Sequence, residues 1–202
     1  MANNKDNVTV GKPRVGGAVY IAPIGTTLPT NATDDLSSVF KCLGYISDDG
    51  LEVEDERETE EINAWGGDIV AILNKSYKTT FKLKFIEVLN VDVLKVVYGE
   101  SNVTVGDDGM ITIKGNNATL SEYVWVLDTI TLNNRARRDV YPCGKVSEVG
   151  ATNYKDDELV GFESTITGMA DTEGNSKYTY IQGATSSTSS STKETTTEET
   201  TE

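Results

Sequence analysis

The chain has 202 residues, a formal net charge of −14 and no histidine. Its length fits one ordinary domain plus a tail. Without histidine, no Ser-His-Asp or Cys-His nucleophile and no histidine-based zinc site can be built. The acidic balance argues against tight nucleic-acid binding, which needs Lys and Arg set against phosphates.

Residues 1–14 are polar and read as a flexible N-terminal arm. The segment Met1–Val10 lacks the apolar stretch of a secretory signal, so a reducing cytosol is expected, with Cys42 and Cys143 as free, half-buried thiols. Gly16-Gly17-Ala18 lacks the Gly-Lys-Ser/Thr ending and following helix of a phosphate loop. Strands are expected over 17–23 and 40–47. Asp48-Asp49-Gly50 is turn chemistry and does not match an EF-hand loop.

A strand over 51–62 is the most informative stretch. Glu52, Glu54, Glu56, Glu58 and Glu60 fall on one face, neighbours about 7 Å apart. Such a row cannot be buried unpaired. It is a solvated face, a negative wall facing a water-filled lumen (with Asp49 beside it), or an edge that meets a neighbouring subunit. Trp65-Gly66-Gly67 then marks a tight turn whose Trp is either a cover over the local core or an interface anchor.

Further strands are expected over 68–74 and 77–85. In the second, Tyr77, Thr79, Phe81, Leu83 and Phe85 share an inner face, and Lys78, Lys82 and Lys84 share the outer one. A short helix follows, capped by Asn90, with Asp92 at its positive end and Gly99 past its last turn. Leu89, Val93, Val96 and Val97 are expected on its buried side. Asp107-Asp108-Gly109 reads as a hairpin turn joining 102–105 to 110–114. Tyr123–Leu127 is apolar on both faces and should be a central strand. Strands over 138–150, 157–168 and 176–182 complete the domain.

The cations Lys78, Lys82, Lys84, Arg135, Arg137 and Arg138 either stand exposed for solubility or meet the 52–60 carboxylates, within one subunit or across a contact. Residues 184–202 are nearly all Ser, Thr and Glu and read as a disordered tail. No apolar run approaches the ~20 residues needed to span a membrane. The expected architecture is mainly β, a β-sandwich or partial barrel with one packed helix, spanning 15–183. No catalytic constellation, metal site or cofactor site is visible.

The order of several segments resembles siphophage major tail, or tail tube, proteins. These are Lys12–Pro29, Phe40–Leu51, Glu61–Asp68 with its acidic approach, Leu89–Gly99, Val149-Gly150, Tyr154–Glu158 and Gly161-Phe162-Glu163. The resemblance implies a non-enzymatic virion subunit forming hexameric rings whose inner sheets join into one β-barrel. The rings stack into a tail tube through which DNA leaves, with no cofactor and no membrane anchor. That fold is shared with contractile-phage tubes and the type VI secretion tube. The implied partners are other copies of the chain and the tape-measure, tail tip and tail terminator proteins. The implied locations are the host bacterial cytoplasm during assembly and the virion tail afterwards. In that frame Asp49 and the five even-numbered glutamates are lumen candidates. Trp65, Gly66, Gly67, Lys78, Lys82, Lys84, Arg135, Arg137 and Arg138 are inter-subunit contact candidates. A capsid decoration or host-binding fibre protein is the alternative.

Overall fold

The computed structural model describes residues 3–183; the Ser/Thr/Glu tail expected over 184–202 lies outside them. The elements are β1 (Lys12–Pro13), β2 (Val19–Pro23), β3 (Lys41–Cys42), β4 (Glu52–Asn63), β5 (Ile69–Phe85), α1 (Val91–Tyr98), β6 (Val103–Val105), β7 (Ile111–Ile113), β8 (Tyr123–Ile130), β9 (Ala136–Val149), β10 (Phe162–Met169) and β11 (Tyr178–Ile181). The fold is mainly β, as the alternating pattern predicts.

One antiparallel sheet runs β3-β2-β8-β9-β10-β5-β4. β1 and β2 pair in succession along one edge of β8, and β10 and β11 do the same along β9. The sheet is open, and β4 is its last strand. β6 and β7 form a separate two-stranded ribbon closed by the expected turn, where Gly106 N–H donates to Met110 O at 2.8 Å.

β8 is an interior strand, between β2 and β9, as its two apolar faces require. Its inward face, with Trp125 and Leu127, joins Val19, Phe81, Phe85, Tyr141 and Ile166 beneath α1. Phe81 meets Trp125 edge-on, with ring centroids 5.4 Å apart. Trp125 Nε1 donates to Gly144 O at 3.0 Å. A side chain at 144 would intrude, since a Cβ there would lie 2.7 Å from Trp125 Cδ1. On the opposite face, Val124, Val126 and Val140 are covered by the 24–40 loop through Leu28, Leu36 and Phe40.

Several boundaries differ from expectation. The strands expected at 68–74 and 77–85 are one 17-residue strand. A bulge near Lys75 absorbs the break in alternation without ending the pairing. Within 40–47 only Lys41–Cys42 pairs as a strand, because Gly44 turns the chain at φ 77° and leaves Ile46 a single bridge to Phe85. β10 begins at Phe162 rather than 157. Leu89 is 79% exposed because it precedes the Asn90 cap and lies outside the helical period; Leu94 joins Val93, Val96 and Val97 on the buried face. The expected arm is in contact with the sheet from Thr9 onward. Thr9 Oγ1 accepts from Leu132 N–H at 2.8 Å, and β1 pairs with Thr129 and Ile130.

Candidate functional site

β4 and β5 build a hairpin that outgrows the sheet. β10 pairs with β5 only over Thr79–Phe85, so residues 69–78 pair with β4 alone. At about 3.3 Å per residue this free portion reaches roughly 30 Å beyond the sheet. Every residue of β4 is exposed. The tip turns at Gly66 and Gly67, with φ of 124° and 101°, and is closed by Ala64 N–H donating to Asp68 O at 2.8 Å.

The register assigns the charges. Glu52, Glu54, Glu56 and Glu58 stand opposite Lys82, Thr80, Lys78 and Ser76. Lys82 Nζ lies 3.9 Å from Glu54, and Lys75 Nζ lies 3.3 Å from Glu60. Ser76 Oγ donates to Glu58 at 3.2 Å. The carboxylate row is therefore a mixed-charge ladder, its repulsion relieved by lysines of the adjoining strand. These exposed pairs are worth ~0–1 kcal/mol each, so they order the face more than they stabilise it. Asp49, exposed in the turn before β4, accepts a hydrogen bond from Ser47 Oγ at 2.9 Å.

The other face of the hairpin base is fastened to the body. Asp55 accepts from Tyr77 Oη at 3.0 Å and pairs with Lys177 from the 170–177 loop. Partial burial pushes the Asp55 carboxyl up, but hydrogen bonds from Lys177, Thr79 and Tyr77 outweigh it and hold the group below its ordinary value. Arg57 lies over the Tyr77 ring, 4.7 Å from its centroid.

Beyond this base the hairpin carries apolar side chains on both faces, interspersed with Glu60, Glu61 and Asp68. Ile62 and Leu73 project on the glutamate side, Ile72 on the other, and Ile69 and Val70 follow the tip. All are exposed, and Trp65 is fully so. Trp65 is therefore not a cover over its own core. An exposed apolar concentration of this kind marks an interaction surface.

Three of the remaining cations, Lys84, Arg137 and Arg138, are used elsewhere. Lys84 pairs with Glu158 at 3.0 Å. Arg137 forks onto Asp139. Arg138 is an internal residue, 1% exposed, making a two-pronged pair with Asp128 at 2.6 and 2.8 Å. Its third nitrogen donates to the carbonyls of Asn31 and Asp34 at 3.1 and 3.0 Å. Arg137 and Arg138 thus pair with aspartates of the sheet rather than with the glutamate row. Arg138 fastens the 24–40 loop to the sheet, with Arg14 reaching the same carboxylate at 3.4 Å. The available signal was Asp128 itself, a lone carboxylate inside an otherwise apolar strand. The Asp55–Lys177 clamp had no comparable signal, because the two residues are far apart in the chain.

No cluster of three or more potential metal ligands occurs among the described residues. No described helix is long and apolar enough to cross a membrane. A model of the family described as phage tail tube protein matches residues 1–193. No curated protein matches the chain.

Proposed function

The chain belongs to the phage tail tube protein family, and from that premise we propose that it assembles into hexameric rings that stack into the tail tube, a conduit for DNA ejection. Its role is structural, as a component of the virion tail. The projecting β4–β5 hairpin carries the reading: a long two-stranded arm whose distal apolar side chains are left uncovered by the other described residues of its own subunit. An open edge at β4 adds a row of unpaired backbone groups that a neighbouring strand can satisfy. Joining sheets from several copies removes such edges, as in a closed barrel.

The two halves of the hairpin suit different surroundings. The Glu/Lys ladder over Glu52–Glu60 suits water and faces the lumen in this proposal, together with Asp49. The apolar distal part, with Trp65, suits contact with other copies. Duplex DNA carries one charge per ~1.7 Å of axis, so a wall lined by excess carboxylate keeps it from adhering as it slides. Negative-stain electron microscopy of the purified chain across a concentration series tests the proposal. Hollow tubes or six-membered rings are expected. Compact particles at every concentration reject it and favour a decoration or fibre role.

A further inference from the structure

The sheet edge at β1–β3 holds a groove of about 600 Å³. Val15 and Tyr45 form its rim, 94% and 76% exposed, and Gly16, Gly17, Gly44 and Glu87 line it. Two glycines let its wall close up, because Cys42 and Glu87 pack directly on their backbone. A Cβ on Gly17 would lie 2.4 Å from Cys42 Sγ, and one on Gly44 would lie 2.0 Å from the Glu87 carboxyl carbon. Both glycines also have positive φ, 135° and 77°, which other residues rarely adopt. Glu87 is held in place by Tyr45 N–H at 2.8 Å and Asn90 Nδ2 at 3.1 Å. Each carboxylate oxygen keeps a second acceptor position.

We propose that this groove receives Trp65 from the hairpin tip of a second copy, which rests on the tube-assembly reading above. Three features select that occupant. An indole has a flat apolar body and one N–H donor, and the groove offers apolar walls with one carboxylate acceptor. A buried Trp removes about 150–250 Å² from water and needs a partner for its N–H. Charge is complementary at the margin: exposed Lys12 precedes Pro13 of the groove, whereas exposed Glu60, Glu61 and Asp68 flank the tip. Finally, Trp65 stands fully exposed at the end of its own hairpin, so in this conformation its own groove is not occupied by it.

Groove and tip are different surfaces, so the contact is head-to-tail. Such contacts close into rings or propagate as filaments rather than stopping at a dimer. That is the kind of contact a tube needs. Trp65 is its anchor, and the glycines at the tip let the backbone approach the rim closely.

The test replaces Trp65 with photoreactive benzoylphenylalanine, retaining an aromatic side chain, and irradiates assembled tubes. Cross-links are expected at residues 13–18 or 42–46 of another copy. Tubes that form with cross-links mapping elsewhere overturn the groove assignment and leave the tube reading intact. A wild-type chain that never forms tubes overturns both. If the analogue itself blocks assembly, the probe is moved to Val15, where capture of residues 62–69 is expected and capture of any other segment rejects the groove. In parallel, Val15→Asp, an exposed change, should raise the critical assembly concentration at least ten-fold with an unchanged unfolding midpoint. Combined with Trp65→Ala it should add little further, since both act on one contact. A Val15→Asp effect under two-fold counts against the proposal.

Discussion

Arg138 illustrates how a cation can leave the surface altogether. Its guanidinium is buried with Asp128 and also binds two carbonyls of the 24–40 loop. Removing one partner of such a pair strands the other charge in a low-dielectric interior, a loss of about 3–5 kcal/mol. Arg138→Ala is therefore expected to lower unfolding free energy in urea by about that amount, whereas a loss below ~1 kcal/mol would mean that Arg14 or water satisfies Asp128. Glu158 is a contrasting, exposed case. Lys155, then Lys84, hold its carboxyl down to about 2. A depressed carboxylate contributes stability that is complete above its unfolded value near 4.3 and is lost as pH falls through the folded one. Carboxyl chemical shifts of Glu158 should thus titrate close to pH 2, and a midpoint near 4.3 would show both ion pairs to be absent in solution. Asp55, also depressed, should follow the same direction and loosen the clamp on the hairpin base in acid.

At the scale of the element, the hairpin's distal half pairs, among the described residues, only between its own two strands. A two-stranded ribbon alone is marginally stable in water. Amides of residues 55–68 are therefore expected to exchange rapidly in the free subunit and slowly in assembled material. Equal protection in both states would show that the hairpin gains nothing from assembly. The glutamate ladder makes a separate prediction. If the ladder faces a water-filled lumen, as proposed, Glu52→Lys with Glu54→Lys should leave tubes intact and slow DNA ejection. Loss of rings would instead identify that face as a subunit contact. Lys82→Glu does not distinguish the two outcomes by rescue, because Lys82 lies opposite Glu52 on the same hairpin and would repair it internally.

For the whole molecule, the acidic balance and the open sheet have joint consequences. A subunit at −14 repels its copies at long range, so association rests on short-range apolar burial and local charge pairing. In the proposed assembly the apolar side chains of the distal hairpin supply the first and the charged β4 edge the second. The Ser/Thr/Glu stretch after Gly183 has almost nothing apolar to contribute. A chain ending at Gly183 is expected to assemble at the same critical concentration as the full chain, measured by sedimentation. Failure of that truncated but folded chain to form tubes would assign the tail a role in assembly.

The sequence by itself determined what depends on local pattern. Period-two alternation located the strands, with Tyr123–Leu127 in the interior of the sheet, and Asn90 located the helix cap. The order of segments pointed to the family. The five glutamates were correctly placed on one strand face because side-chain direction alternates strictly along a strand. Only the tertiary structure decided which strands meet. Register set Lys82 and Lys78 against that face, while Arg138 went inside to Asp128. Periodicity carries no record of a partner dozens of residues away, so the Asp55–Lys177 clamp was not legible. Nor was the fusion of two expected strands into one projecting arm, because a bulge near Lys75 interrupts the pattern while the backbone pairing continues through it.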